Sequence, residues 1–188
     1  MTPKIIIGLI GEKGSGKGTV SDYLIAHYGA EHFGTSQILK RTVSDLHLEL
    51  TRDNFIKLAL VLKEGFGASV VIDSLIHDIE DQSKADIVIA DGIRMHDDVE
   101  PFKKRYGSNF HLIYVTADMR IRYERTKLRK EKAGEDKMTW PEFIAEEARL
   151  TEVAIHEVGR QADFIIENNG IPEELTSQVE AVMKKILV

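Results

Sequence analysis

Residues 11–19 form a glycine-rich segment, GEKGSGKGT, that directly follows the apolar run Ile5–Ile10. A strand that leads through such a turn into a helix is suited to holding a polyphosphate, because glycines permit positive φ and let backbone N–H groups approach phosphate oxygens. The helix adds the positive end of its dipole, and Lys17 supplies a point charge for the β- and γ-phosphates. The segment predicts a nucleoside triphosphate site formed by Gly11, Glu12, Lys13, Gly14, Ser15, Gly16, Lys17, Gly18 and Thr19.

The length and charge of the chain limit the expected number of domains and the expected partners. The chain has 188 residues, of which 43% are hydrophobic, and we expect residues 1–188 to form a single well-buried domain. The formal charge is −6, from 25 Lys and Arg against 31 Asp and Glu. Because no long basic tract is present, a polynucleotide partner is not expected.

The chain contains no cysteine, which excludes disulfides, a thiolate nucleophile and a cysteine-based zinc site. The apolar run near the N-terminus is too short for a signal peptide or a membrane span. We therefore expect a cytoplasmic protein without a membrane partner. The sequence leaves the oligomeric state open.

Apolar, β-branched runs alternate with helix-like segments along the chain. The predicted strands are Ile5–Ile10, a short one at 31–34, 87–90 ending at Asp91, 110–115 and 164–166. Their continuous apolar character is typical of strands buried on both faces. The predicted helices are 17–28, 35–48, 53–64, 69–81, 97–106, 118–132, 140–159 and 172–187. Residues 70–72 also fit a strand, but the spacing of Val71, Leu75 and Ile79 favours a helix. This alternation predicts an α/β fold with a parallel sheet covered by helices on both sides.

Asp91 ends the run 87–90, at the carboxyl edge of a predicted central strand, where ligands bind in open α/β sheets. A carboxylate there suits Mg²⁺-bound water beside the β- and γ-phosphates. The next residue is Gly92, whereas motor and AAA-type ATPases commonly need a glutamate there to activate water. This difference favours transfer to a bound acceptor, and the absence of an Asn-Lys-x-Asp motif argues against a GTPase switch.

Most phosphate loops place Ser or Thr directly after the lysine, where the hydroxyl ligates Mg²⁺. Here Gly18 takes that place and Thr19 follows, and this Gly-Lys-Gly-Thr variant resembles adenylate kinase and its nucleoside monophosphate kinase relatives. The resemblance implies a three-layer α/β/α P-loop kinase fold with a five-stranded parallel sheet in the order 2-3-1-4-5. It also implies ATP and Mg²⁺ as cofactors, with the metal held largely through water and phosphate oxygens.

The same resemblance implies an acceptor site within a helical region at about 35–81. Arg94 in Asp-Gly-Ile-Arg is similar to the arginine that holds the acceptor phosphate in these kinases, although the spacing is one residue shorter. Residues 32–41 resemble the stretch that contacts the acceptor base and phosphate, with Thr35 in register and Lys40 or Arg41 in place of an arginine. Residues 52–54 and 63–67 resemble phage-type deoxynucleoside monophosphate kinases, which adds Arg52 and Lys63 as candidates.

Arginines near residue 125 are candidates for neutralising charge during transfer. Arg122, Arg125 and Arg129 follow one another at steps of three and four, which places them on one face of a helix. Convergent arginines neutralise the charge that spreads over the equatorial oxygens of a transferred phosphoryl group. In the kinase family such residues lie at a mobile lid, here expected at about 127–139, and we expect Arg125 or Arg129 to take part.

The C-terminal stretch 162–175 is similar to the closing strand and turn of dephospho-CoA kinases, in which the loop after the strand lies beside adenine. The resemblance adds Asn169 to the expected ATP site. Three functions therefore compete: a nucleoside or deoxynucleoside monophosphate kinase, a dephospho-CoA kinase, and an ATP-binding switch protein without an acceptor. The segment after the predicted second strand, 34–37, lacks the acid that dephospho-CoA kinases place there, which favours the first. We expect the acceptor to be a small nucleotide-like molecule.

Overall fold

Five strands form the centre of the protein in this computed structural model. The model describes residues 4–129, 135–148 and 150–187, without the side chains of residues 129, 135 and 150–152. The strands are β1 (Ile5–Ile10), β2 (Glu31–Gly34), β3 (Ile87–Asp91), β4 (Phe110–Thr116) and β5 (Phe164–Glu167). All neighbouring pairs are parallel and the order is β2-β3-β1-β4-β5, which confirms the predicted sheet.

The helices connect these strands. They are α1 (Lys17–Tyr28), α2 (Thr35–Asp45), α3 (Arg52–Phe66), α4 (Val70–Gln82), α5 (His96–Tyr106), α6 (Met119–Arg129), α7 (Trp140–Glu147), α8 (Leu150–Gly159) and α9 (Pro172–Ile186). The expected acceptor region, 35–81, corresponds to α2, α3 and α4. Within the described residues, no helix is both long and apolar enough to cross a membrane.

Side chains of β1 alternate between two buried clusters, one on each face of the sheet. Ile6 and Ile10 pack into the first cluster with residues of α4, α5 and α8, and Ile7 and Leu9 pack into the second with residues of α1 and α9. Each of these four side chains is almost fully buried. The continuous apolar runs therefore have the predicted cause, since both faces of the sheet are covered. The result is a three-layer α/β/α arrangement.

The prediction of one helix over 140–159 is wrong. The structure has α7 and α8, separated by a turn in which the Ala148 N–H bonds to the carbonyl oxygens of Ile144 and Glu146. The two helices pack against different partners, because α7 buries Phe143 against α6 whereas α8 buries its apolar side chains against the sheet. A straight helix would not reach both surfaces.

Of two other predicted helices, one agrees with the structure and one ends earlier than predicted. The segment that also fitted a strand is helical, as predicted, over Val70–Gln82. Helix α2 ends at Asp45 rather than at 48, and His47 adopts a left-handed φ of 55° that stops helical propagation.

The carboxyl ends of β1, β3 and β2 meet at one edge of the sheet. In the parallel register Leu9 lies opposite Asp91, and Asp91 lies opposite Gly34. The phosphate-loop residues, the predicted metal-site carboxylate and the start of the acceptor region are therefore neighbours in space. This edge is where ligands bind in α/β sheets of this type.

Candidate functional site

The loop between β1 and α1 has the conformation expected of an anion cradle. Gly14 and Gly16 have φ values of 77° and 99°, in the left-handed region that side chains disfavour. Gly16 is also the N-cap of α1, where no side chain caps the helix and no acidic residue lies in the first turn. The first-turn N–H groups and the helix dipole are thus available to a phosphate.

Lys17 and Asp91 form an ion pair at the centre of this edge. Lys17 Nζ lies 2.6 Å from Asp91 Oδ1, which also accepts a hydrogen bond of 2.7 Å from the Gly92 N–H. His32 Nε2, on β2, lies 3.4 Å from Asp91 Oδ2. Burial raises the pKa of Asp91, but the contacts with His32 and Lys17 outweigh it and hold that pKa well below its usual value. Asp91 is therefore ionised at neutral pH.

The loop forms one wall of a cleft of about 700 Å³, a size typical of small-molecule sites. The cleft brings together residues that the sequence places far apart, including three of the predicted arginines. Its lining residues outside the loop are Asp22, Arg52, Arg94, Arg125, Leu128, Glu146, Glu147 and Ile155. The predicted residues Lys17, Arg52, Arg94 and Arg125 thus share one cavity.

Arg52 and Arg94 line the cleft from the expected acceptor region and from the loop after β3. Arg52 is the first residue of α3, whose N-cap Thr51 accepts a hydrogen bond of 3.2 Å from the Asn54 N–H. Arg94 lies in the loop between β3 and α5, and its backbone N–H donates to Asp98 Oδ2 over 2.9 Å. Asp98 is almost fully buried and also binds Lys63 of α3 at 2.9 Å. Lys63 therefore ties α3 to the loop that carries Arg94.

Three other predicted acceptor residues do not line the cleft in the described part of the chain. Thr35 packs against the turn after Asp91, since a Cβ on Gly92 would lie 2.0 Å from Thr35 Oγ1. Lys40 is exposed on α2. Arg41 is exposed as well, and its NH2 group lies 3.4 Å from Asp78 on α4. A direct role for them in acceptor binding stays a prediction.

Arg122 and Arg125 lie on the same side of α6 but have different surroundings. Arg122 is buried, forms an ion pair of 2.6 Å with Glu147 of α7, and donates to the Lys13 carbonyl over 3.3 Å. Arg125 is half-buried at the rim of the cleft, where its NH1 donates to the Asn168 carbonyl over 2.8 Å. Of the two, Arg125 is the one placed to meet a ligand.

The expected lid, 127–139, lies partly outside the described residues, because 130–134 are not among them. Arg129 is the last residue of α6 and its side chain also lies outside the described part. Helix α7 follows this segment and reaches the phosphate loop, where Lys13 and Glu146 form an ion pair of 3.1 Å. Neither Glu146 nor Glu147 was expected from the sequence.

The sequence predicts Asn169 at the ATP site, but Asn168 is the asparagine that contacts the phosphate loop. Asn169 is exposed and accepts a hydrogen bond of 2.7 Å from the Asp118 N–H, outside the residues that line the cleft. Asn168 is buried, and its Nδ2 donates to the Ser15 carbonyl of the phosphate loop over 2.8 Å. The sequence signal for the pair was a turn, which does not distinguish one asparagine from the other.

Glu12 is an unusual member of the loop because its carboxylate is buried. Its Oε1 accepts hydrogen bonds from the Tyr114 hydroxyl and, over 3.3 Å, from Thr116 Oγ1, both on β4. Burial and the bond to Glu12 raise the pKa of Tyr114 well above its usual value, so the phenol stays protonated and donates. Glu12 therefore anchors the start of the loop to the sheet.

Mg²⁺ was expected to be held through water by Asp91. Within the described ranges, no group of three or more His, Asp or Glu side chains is placed to hold a metal ion directly. An ionised carboxylate beside the loop lysine fits a metal bound mainly by phosphate oxygens and water. The role of Asp91 at a hydrated metal stays a prediction.

A family model described as an AAA domain matches residues 10–142, a range that includes the phosphate loop, Asp91 and Arg125. The chain belongs to this family. In this AAA domain the residue after Asp91 is Gly92, so the glutamate expected of water-activating ATPases is absent from that position.

The chain resembles proteins of known sequence and a solved structure over nearly its whole length. This chain is 29% identical over 182 residues to a UPF0200/UPF0201 protein of Archaeoglobus fulgidus, with 96% of this chain and 55% of that protein covered. It thus spans about half the length of that relative. A UPF0200 protein of Thermococcus onnurineus is 25% identical over 97% of this chain and 98% of its own length. The crystal structure of shikimate kinase from Bacteroides thetaiotaomicron superposes with a TM-score of 0.62 at 14% identity, covering 98% of this chain and 99% of that one. The fold is that of P-loop kinases.

Proposed function

We propose that this protein transfers the γ-phosphoryl group of ATP to a nucleoside or deoxynucleoside monophosphate in an Mg²⁺-dependent reaction. The observation that carries the proposal is the shared cleft, in which Arg52 and Arg94 face the same cavity as the phosphate loop. A polyphosphate cradle alone supports nucleotide binding. Two further guanidinium groups from the acceptor side support a second anion in the same cavity, since arginine binds phosphate through a planar, bidentate fork.

Each group has a distinct task in this proposal. The loop amides and Lys17 bind the β- and γ-phosphates, and Asp91 orders the hydrated metal. Mg²⁺, when bound, neutralises charge on the phosphate oxygens. Arg52 and Arg94 hold the acceptor phosphate, and Arg125 stabilises charge on the group in transfer.

The acceptor is proposed to be a monophosphate because its attacking oxygen is already ionised at neutral pH. A ribose hydroxyl, as in dephospho-CoA, benefits from a positioned carboxylate that takes its proton. The carboxylate nearest Lys17 is Asp91, which is ionised but engaged by Lys17, Gly92 and His32. The engagement of Asp91 supports an acceptor that needs no base.

A coupled ADP-release screen tests the proposal. Ribo- and deoxyribonucleoside monophosphates, dephospho-CoA and a no-acceptor blank are each supplied with ATP and excess Mg²⁺. We expect at least one monophosphate to raise ADP release far above the blank and to yield its diphosphate. Lys17→Ala is expected to abolish this transfer, because the point charge on the phosphates is lost, while Lys184→Ala on the surface of α9 serves as the matched control.

The screen separates the three functions. If dephospho-CoA alone stimulates ADP release, the acceptor is a ribose hydroxyl and not a nucleoside monophosphate. ATP binding with slow hydrolysis and no phosphorylated product indicates a switch protein. A Lys17→Ala variant that stays fully active at saturating ATP contradicts the assigned phosphate site.

A further inference from the structure

A phosphate loop attracts an anion only if its carbonyl oxygens are turned away from the ligand. N–H groups and carbonyl groups alternate along any backbone, so carbonyls that are turned outward need other donors. Two long-range donors fill this need. Arg122 NH1 donates to the Lys13 carbonyl over 3.3 Å, and Asn168 Nδ2 donates to the Ser15 carbonyl over 2.8 Å.

Asn168 is engaged through both its backbone and its side chain. Its N–H donates to the Thr116 carbonyl over 2.8 Å and so continues the pairing of β5 with β4. Its carbonyl accepts from Arg125 NH1 over 2.8 Å, and its Oδ1 lies 3.4 Å from Arg125 NH2. Because the amide oxygen faces a guanidinium and the amide nitrogen faces a carbonyl, the orientation of the amide is determined by its partners.

The contact between Asn168 and the loop is also close. A Cβ on Gly16 would lie 2.1 Å from Asn168 Nδ2, and Gly16 has a positive φ of 99°. The side chain therefore packs directly on the turn that leads into α1. With 7% of its surface exposed, Asn168 has little freedom to leave this place.

We propose that Asn168 is a positioning residue of the triphosphate site. Its amide holds the Ser15 carbonyl out of the cleft, which keeps the loop amides directed at the phosphates. The same residue binds Arg125, so the floor of the phosphate site and the arginine at its rim share one anchor. The inference rests on the proposed function, since it assumes that the cleft binds ATP.

Two substitutions at Asn168 and one control test the inference. Asn168→Asp is nearly isosteric but places an oxygen against the Ser15 carbonyl, and Asn168→Ala removes the donor without adding charge. Both keep the backbone oxygen that accepts from Arg125. Gln178→Glu is the matched control, because Gln178 Nε2 donates to the backbone oxygen of the neighbouring Glu167 over 2.9 Å at the surface, away from the cleft.

The dissociation constant for ATP with excess Mg²⁺ is measured by calorimetry on each folded variant. Losing a buried hydrogen bond to the loop is expected to weaken ATP binding about tenfold for Asn168→Asp and Asn168→Ala. Gln178→Glu is expected to stay within about twofold of the wild type, since its contact does not touch the loop. In turnover, KM for ATP is expected to rise in both Asn168 variants while kcat changes by less than about threefold, because Arg125 keeps its main-chain partner.

The outcomes distinguish this inference from the proposed function. If the wild-type protein does not bind ATP, the proposed function fails and the inference fails with it. If the wild type binds ATP and both Asn168 variants bind equally well, only the inference is overturned. An equal loss in Gln178→Glu also overturns it, because the effect would then arise from β5 in general. Where Asn168→Asp does not fold, Asn168→Ala decides alone.

Discussion

Asp91 is expected to make the stability of the protein depend on pH at the acid end. Its pKa in the folded protein is held below the usual value by His32 and Lys17, so ionisation of Asp91 favours the folded state. This contribution is complete above the pKa of the unfolded chain, near 3.9, and is lost as the pH falls through the lower pKa of the folded state. Asp91→Asn is therefore expected to lower the free energy of unfolding by about 1–2 kcal/mol at pH 7.

Urea denaturation at pH 7, 5, 4 and 3 measures the difference between wild type and Asp91→Asn. The difference is expected to be present at pH 7 and at pH 5 and to shrink below about pH 4. Asp45→Asn, which changes an exposed carboxylate on α2, controls for the general effect of acid. A difference that persists undiminished at pH 3 would show that the ionised carboxylate is not the source of the stability.

Residues that act within a short stretch of chain could be predicted from the sequence. Lys17 follows a recognisable glycine pattern and Asp91 ends an apolar run, so the sequence predicts that both lie at this edge of the sheet, and the structure places them there. His32 and Asn168 were not, because their roles depend on partners 59 and 153 positions away along the chain. Helical spacing placed Arg122 and Arg125 on one face, but only packing against α7 and β5 shows which of them faces the cleft.

Helix α7 forms two adjacent ion pairs that differ in burial, one with Arg122 of α6 and one with Lys13 of the phosphate loop. In the Arg122–Glu147 pair the side chains are 5% and 11% exposed, against 15% and 26% in the Lys13–Glu146 pair. Glu147→Gln leaves the Arg122 charge buried without its counterion, and we expect a loss of about 2–4 kcal/mol in the free energy of unfolding. Glu146→Gln, its matched neighbour, is expected to cost less than about 1 kcal/mol. Urea denaturation of both variants at pH 7 tests this, and equal losses would contradict it.

The sequence predicted helices and strands well where the apolar residues of a segment all pack against one set of neighbours. The three central strands, β1, β3 and β4, are buried on both faces, and α4 has a regular apolar stripe, so their positions agree with the structure. The segment 140–159 failed because its pattern serves two surfaces in succession, first α6 and then the sheet. A change of packing partner leaves no mark in local periodicity, and it is this change that directs α7 towards the cleft.

At the level of the whole molecule, the net charge and the charge of the cleft have opposite effects on a polyanionic ligand. The chain carries a formal charge of −6, which repels ATP at long range, whereas Lys17, Arg52, Arg94 and Arg125 attract it within the cleft. The Debye length is about 10 Å at 0.1 M salt, so salt suppresses the long-range repulsion, and it also weakens local attraction through competition by ions. We expect the attraction within the cleft to outweigh the long-range repulsion, because it acts over contact distances on several phosphate oxygens. The dissociation constant for ATP, measured by calorimetry with Mg²⁺ in fixed excess, is therefore expected to rise by about threefold to tenfold between 20 and 300 mM KCl. A constant that falls over this range would mean that the net charge governs binding and that Lys17 and Arg125 do not contact the triphosphate.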